Sequence, residues 1–203
     1  VSGGAGGAGG SSPAAYKAGG GGGGDGVVVQ SSSLINGGSI TGGAGGNASN
    51  DSSDVNPGAH GGAGGSGVYV AGGNFINRGQ VTGGHGGLGY QHGVKGASGS
   101  GVRIDSDAHV VNEGVISAGG ADANAIDILG SNNTFEIHDG SSITGNVVVA
   151  GGTQGNTFVL GGSDDGSFDV SLIGTQYQGF QSNRKDGSGT WTLTGTGNFT
   201  QGF

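Results

Sequence analysis

Apolar residues in this chain come in runs of two or three, and the runs recur in a fixed frame. Gly26-Val-Val-Val29 leads into Leu34-Ile35-Asn36-Gly-Gly-Ser-Ile40-Thr-Gly-Gly43. Gly67-Val-Tyr-Val70 leads into Phe75-Ile76-Asn77-Arg-Gly-Gln-Val81-Thr-Gly-Gly84. Gly101-Val-Arg-Ile104 leads, with one extra residue, into Val110-Val111-Asn112-Glu-Gly-Val-Ile116-Ser-Ala-Gly119. The shared frame is an apolar strand, a polar corner, two apolar residues, then N-x-G-x-[IV]-[ST]-[GA]-G. A fainter version follows at Ala125-Ile126-Asp127-Ile128, Phe135-Glu136-Ile137 and Gly140-Ser-Ser-Ile143-Thr-Gly145, and Asn133-Thr-Phe-Glu-Ile137 recurs as Asn156-Thr-Phe-Val-Leu160. Each piece is short, alternating or β-branched, and bounded by Gly, Asn, Asp or Ser, which predicts strands joined by turns. No stretch of useful length carries a helical 3.6-residue period.

Spacing separates the repeat from its insertions. Asn133 to Asn156 is 23 residues, a suitable circumference for a coil of three short strands. Asn36 to Asn77 is 41 and Asn77 to Asn112 is 35, and the excesses of 18 and 12 match glycine-rich tracts near 43–66 and 84–100. Both tracts leave the frame just after its [IV]-T-G-G corner, so they are expected to emerge from one edge of successive coils and lie side by side. The stretches Gly42-Gly-Ala-Gly-Gly46, Gly61-Gly-Ala-Gly-Gly65 and Gly83-Gly-His-Gly-Gly87 share a three-residue period. A polyproline-II-like helix has that period and no internal hydrogen bonds, so two glycine faces would let neighbouring tracts approach and exchange backbone bonds. Solvated surface loops are the alternative.

The chain thus reads as all-β, a right-handed parallel β-helix (solenoid) with glycine-rich extended insertions on one edge; the hand follows from the bias of parallel crossovers. It is one continuous array: a glycine-rich segment over 1–25, coils over 26–174, and a C-terminal coil over 175–203. Six or seven coils at about 4.8 Å each would form a rod of roughly 30–35 Å. Asn36, Asn77 and Asn112 share one coil position, which predicts a stacked amide ladder, and Asn suits the left-handed turn that a coil corner needs.

Composition agrees with stacking rather than with a compact globule. Glycine supplies 56 of 203 residues and proline 2, which excludes collagen. Val, Ile, Leu and Phe make up about one fifth of the chain, little apolar surface for a globule of this length. A solenoid needs less, because each coil buries a thin strip against its neighbours. The net charge of −8, with Lys and Arg scattered, argues against nucleic acid. No apolar run is long enough to span a bilayer. The absence of cysteine fits a protein that crosses a membrane unfolded and uncrosslinked. With neither signal peptide nor initiator Met, the chain reads as a processed or excised fragment.

These residues resemble the passenger regions of Gram-negative autotransporters, the type V secreted proteins, from about Gly26 onward. Lys185-Asp-Gly-Ser-Gly-Thr-Trp-Thr-Leu-Thr-Gly-Thr-Gly-Asn-Phe-Thr-Gln-Gly202 is similar to their passenger-associated transport repeat. Phe168-Asp-Val-Ser-Leu-Ile-Gly174 and Tyr177-Gln-Gly-Phe180 look like the stretch that usually precedes it. The resemblance implies export through periplasm and outer membrane, a signal peptide upstream, a β-barrel translocator downstream, and display at or release from the bacterial surface.

Candidate chemistry is sparse. Gly20 to Val27 fits one calcium nonapeptide, with Asp25 at the acidic position, but no second copy follows to share ligands. His85 within Gly84-His85-Gly86 and the pair Asp164-Asp165 superficially match polysaccharide-cleaving β-helices, whose other motifs are missing. The histidines at 60, 85, 92, 109 and 138 lack metal-ligand spacing. The reading is therefore non-enzymatic, with no catalytic or metal residue and no cofactor. Two insertions carry candidate contact residues: Asp51, Asp54 and His60 in one, Leu88, Tyr90, His92 and Lys95 in the other. Trp191 and Phe199 are expected in the terminal coil core. The function expected is adhesion to a host-cell or matrix component, or self-association. The alternatives are a soluble ligand of a host receptor and a stalk presenting an effector.

Overall fold

The computed structural model describes residues 1–9, 18–49 and 58–197, which form an all-β architecture of stacked parallel strands. The first repeat supplies β1 (Val27–Val29), β2 (Ser32–Asn36) and β3 (Ser39–Thr41). The second gives β4 (Val68–Val70), β5 (Gly73–Asn77) and β6 (Gln80–Thr82), and the third β7 (Val102–Ile104), β8 (Ala108–Asn112) and β9 (Val115–Ser117). Next come β10 (Ile126–Ile128), β11 (Thr134–Ile137) and β12 (Ser142–Thr144), then β13 (Val147–Val149), β14 (Thr157–Leu160) and β15 (Gly166–Asp169). A 3-10 turn (Val170–Leu172) precedes β16 (Tyr177–Gln178), β17 (Ser182–Lys185) and β18 (Trp191–Thr194).

Equivalent strands of successive repeats run in the same direction and pair in parallel. One sheet has the order β1-β4-β7-β10-β13-β16, a second β17-β14-β11-β8-β5-β2, and a third β12-β9-β6-β3. The register equates the residues that the sequence frame equates: Leu34, Phe75, Val110, Phe135 and Phe158 form one inward row, ending at Asn183. Ile40, Val81, Ile116 and Ile143 form another. Phe75, Phe135 and Phe158 are fully buried, and each such side chain contributes about 1.5–3 kcal/mol relative to exposure. Phe158 also meets Phe168, Tyr177 and Phe180 with ring centroids 5.4, 4.6 and 5.6 Å away, so the core thickens with aromatic rings toward the last repeats.

The corner between the first and second strand is left-handed in each of the first five repeats. Ser31, Gly72, Asp107, Asn132 and Gly155 occupy it with φ of 46, 115, 59, 60 and 71°, and Gly, Asn and Asp tolerate this conformation best. The left-handed corner is therefore not at Asn36, Asn77 and Asn112, as the sequence suggested. Those three end their strands, and each side-chain oxygen accepts the N–H two residues on, from Gly38, Gly79 and Gly114. Such an Asx turn redirects the chain without a positive φ.

The third sheet stops at β12. Instead of extending it, β15 pairs with β18 as a separate parallel pair. The Gln176 amide donates to the carbonyls of Ile143 and Gly145 at 3.2 and 2.9 Å, occupying acceptors where the sheet breaks. Trp191 packs half-buried against the core and donates its indole N–H to Gly161 O at 3.0 Å. Phe199 lies outside the described residues.

Candidate functional site

Four features stand out: two amide ladders, a glycine sandwich, and the tip that the sandwich carries. In the first ladder Asn36 Nδ2 donates to Asn77 Oδ1 at 2.9 Å, and Asn77 Nδ2 donates to Asn112 Oδ1 at 2.9 Å. Asn77 and Asn112 are fully buried. Sequence reasoning missed a second ladder, although the repeated Asn-Thr-Phe triplet is its signal. Asn133 Nδ2 donates to Asn156 Oδ1 at 3.0 Å, and Asn133 Oδ1 accepts the Ala108 N–H at 2.9 Å. Both ladders satisfy buried polar groups at corners, where strand-to-strand bonds run out, so their role is structural.

The glycine tracts are ordered, and they pack in two layers. In one layer Gly3, Gly6 and Gly9 donate to the carbonyls of Thr41, Ala44 and Asn47, while Gly42, Gly45 and Ala48 donate to those of Thr82, His85 and Leu88. In the other, Gly20, Gly23 and Gly26 donate to His60, Ala63 and Ser66, while Gly61, Gly64 and Gly67 donate to Val94, Ala97 and Ser100. Both residue numbers rise together within a layer, so neighbours are parallel. Between layers one number falls as the other rises: Gly43 donates to Gly24 and Gly46 to Gly21, and Gly84 donates to Gly65 and Gly87 to Gly62. Every third residue along a tract faces out, as Ala44, His85, Ala63 and Ala97 do, and these are exposed. At Gly46 and Gly87 glycine is a packing requirement: a Cβ there would lie 2.0 Å from the Gly7 or Gly46 carbonyl oxygen.

One flank of the sandwich is closed by side chains. Asp122 accepts the N–H and hydroxyl of Ser98 at 2.9 and 2.8 Å and pairs with Lys95 Nζ at 3.2 Å. The Ser98 bonds, with Lys95 adding to them, hold the Asp122 carboxyl far below its usual range. Lys95, a candidate contact residue, is thus engaged in this cap.

The remaining candidates cluster at the end of the sandwich where the tracts reverse. A turn runs from Tyr90 to Gly93, with Gly93 N–H donating to Tyr90 O at 2.9 Å and Gln91 at φ 52°. Tyr90 N–H reaches across the layers to Ala59 O at 2.9 Å. His60 Nδ1 accepts the Val94 N–H at 3.1 Å, fixing the ring orientation. Asn47 Oδ1 accepts the Leu88 N–H at 2.8 Å. Leu88 and Val94 are each 63% exposed, and His60 and His92 are exposed beside them. The structure therefore brings His60, Leu88, Tyr90 and His92 to one end; Asp51 and Asp54 lie outside the described residues.

Two concave features lie elsewhere. A groove of about 310 Å³ over the second sheet is lined by Leu34, Ile35, Ile76 and Val111 with His109 at its rim. A pocket of about 190 Å³ at the sheet break is lined by His138, Asp139, Phe168, Asp169 and Trp191 among others. Beside the groove, carboxylates alternate with Arg and His side chains along the stack: Arg78 pairs with Glu113 at 2.9 Å, His138 lies 3.6 Å from Glu113 and 2.7 Å from Glu136, and Glu136 meets His109 at 3.0 Å. The His109 bond, and secondarily the His138 bond, hold the Glu136 carboxyl below its usual range against the opposing effect of burial.

Two of the groups weighed for other chemistry, Asp25 and Asp165, have structural partners. Asp25 accepts the Ser66 N–H at 2.7 Å, and Asp165 accepts the Thr190 N–H at 2.7 Å. Among the described residues no group of three His, Cys, Asp or Glu side chains is placed to hold a metal, and no helix is long and apolar enough to cross a membrane. No family model, curated protein or solved structure matches this chain.

Proposed function

We propose that the chain is a right-handed parallel β-helix acting as the exported passenger of a type V secretion system, displayed at or shed from a bacterial surface and adhesive toward host cells or matrix. The observation that carries this reading is the sandwich tip. Two rigid layers of glycine tracts, bonded along their length, hold exposed Leu88, His60 and His92 beyond the sheets. A backbone ordered in advance presents contact residues at low entropic cost on binding. The exposed Ile35 and the groove beside it offer a second contact region on the flank. Several weak contacts on one rigid body accumulate into adhesion when many copies are displayed. Stacked repeats suit export as well, because each coil folds on its neighbour without disulfides or distant closure.

Beads coated with the chain test the reading on cultured epithelial cells and matrix-coated plates. Retention at least tenfold above albumin-coated beads, lowered by the double substitution Leu88→Ala with His92→Ala, is the expected result. Retention no better than albumin on every surface overturns the adhesive reading, and a cellular response to the soluble chain in its place favours a receptor ligand.

A further inference from the structure

The break in the third sheet leaves a pocket with no counterpart in the earlier repeats. There the chain turns out of its second strand on an asparagine, Asn36, Asn77 or Asn112. In the fourth repeat Ile137 takes the register position of Asn112. The turn runs instead through His138 to Ser141, with Ser141 N–H donating to His138 O at 3.2 Å and Gly140 at φ 76°. On the other side β15 pairs with β18 rather than extending the sheet. The space between, about 190 Å³, is lined by the fourth and fifth repeats and by Tyr177 and Trp191 of the sixth. It thus lies within the stack and not at either end of it.

The lining divides by chemistry. Ile137, Phe168 and Tyr177 are buried and Trp191 is half-buried, so the inner wall is apolar. Asp139 and Asp169 are exposed and give the rim two carboxylates. Asp139 and Trp191 converge at Gly166, where a Cβ would lie 2.9 Å from Asp139 Oδ1 and 3.2 Å from Trp191 Cζ3.

No cation of the chain neutralises this rim. Asp139 has no hydrogen bond or ion pair among the described residues. Asp169 accepts the Ser171 N–H at 2.9 Å, and the Ser171 hydroxyl and N–H hold its carboxyl below the usual range. Among the described residues no Lys or Arg lines the pocket. His138, the one basic side chain there, is engaged with Glu136 and Glu113 at 2.7 and 3.6 Å.

We propose that this pocket receives a lysine or arginine side chain from a partner peptide. The rim calls for positive charge and the inner wall for an uncharged body. An inorganic ion lacks the body, and a neutral sugar lacks the charge. A lysine or arginine side chain joins an apolar stem to a charged head, so the stem can lie across the apolar wall while the head stays at the rim. A head at the rim beside Asp139 and Asp169 keeps part of its hydration, which limits the cost of pairing. The pocket shares no residue with the sandwich tip, and its occupancy does not depend on adhesion.

Trp191 is the single tryptophan of the chain, so its fluorescence reports on the pocket without a label. End-blocked Gly-Gly-Lys-Gly-Gly and Gly-Gly-Arg-Gly-Gly, titrated at constant ionic strength, are expected to shift the emission along a saturable curve. Asp139→Asn is expected to weaken that binding about two- to fivefold, with an unchanged melting temperature because Asp139 has no partner in the chain to lose. A wild-type chain that responds to neither peptide overturns the proposal, whether or not calcium chloride or free glucose shifts the emission in their place. An equal response to the same peptide with norleucine in place of lysine also overturns it, since charge then plays no part. So does an Asp139→Asn chain that binds as tightly as the wild type.

Discussion

Replacing Asn77 by Ala removes the middle of the first amide ladder. Asn77 Oδ1 accepts from Asn36 Nδ2 at 2.9 Å and from Gly79 N–H at 3.3 Å, while its Nδ2 donates to Asn112 Oδ1 at 2.9 Å and Val115 O at 3.1 Å. The neighbouring amides keep other partners, since Asn36 Nδ2 also reaches Gly38 O at 3.2 Å and Asn112 Oδ1 still accepts from Gly114 N–H at 3.3 Å. The group left poorest is the half-buried Gly79 N–H, and both ladder bonds at 2.9 Å are lost. At about 0.5–1.5 kcal/mol for each lost bond, with about 1 kcal/mol more for the stranded N–H, the loss is about 2–4 kcal/mol. For a chain of this size that corresponds to a fall in Tm of about 5–15 °C. Asn36 sits at the ladder's end with one ladder neighbour and some solvent access, so Asn36→Ala should cost less than half as much. Thermal melts followed by circular dichroism, with urea titrations for ΔG, measure both. An Asn77→Ala protein within 0.5 kcal/mol of wild type, or a cost equal to that of Asn36→Ala, would refute the reasoning.

Other perturbations have equally definite signs. Gly87→Ala places a methyl 2.0 Å from Gly46 O and should destabilise by about 2–4 kcal/mol through lost interlayer bonds, whereas Gly37→Ala, with nothing within 4 Å, should be neutral or stabilising by up to about 1 kcal/mol; urea midpoints compare them. The Glu136 carboxyl is held below its ordinary value of 4.5, so its contribution is present above that value and is lost as pH falls through the lowered one. Glu136→Gln should therefore lower Tm at pH 6, by an amount that shrinks progressively as pH falls below 4.5. Burial pushes the Tyr177 phenol up to about 12 from 10.0. The neutral ring thus contributes fully below pH 10 and loses its contribution as pH climbs toward 12, and Tyr177→Phe should flatten that alkaline decline in a Tm-against-pH series. Lys95→Ala removes one partner of the exposed Asp122 and should barely move the urea midpoint, because solvent screens an exposed pair, while Asp122→Ala, which also strands the Ser98 N–H, should lower it.

How much of this was legible in the sequence depended on whether a contact was made at equivalent positions. The Val27, Val68, Val102 row and the Asn36, Asn77, Asn112 ladder repeat in the text because they repeat in space, so alignment of the chain with itself finds both. The glycine period likewise announced neighbouring tracts. What the frame could not supply was direction: nothing in Gly-Gly-x says that tracts are parallel within a layer and antiparallel between layers. The left-handed corner was misplaced because its occupants, Ser31, Gly72, Asp107, Asn132 and Gly155, share a backbone conformation and not a residue type. The Asp122 cap and the alternating run from Arg78 to His109 were invisible for a related reason. Each joins residues that occur once, at offsets set by insertions of unequal length. Among the candidate contact residues, the gathering of His60, Leu88 and Tyr90 at one end follows from tract lengths that match, while the engagement of Lys95 depends on a turn after Gly119 that no repeat predicts.

Residue-resolved amide hydrogen exchange of the glycine tracts, read by NMR on the native chain, tests the ordered sandwich most directly. The N–H groups of Gly42, Gly43, Gly45 and Gly46 all have backbone partners, and those of Ala44 and Asn47 have none among the described residues. The account predicts a three-residue rhythm, with two slow amides and then one fast, along both 42–49 and 83–87. Uniformly fast exchange through these tracts, with protection confined to the strands, would contradict it.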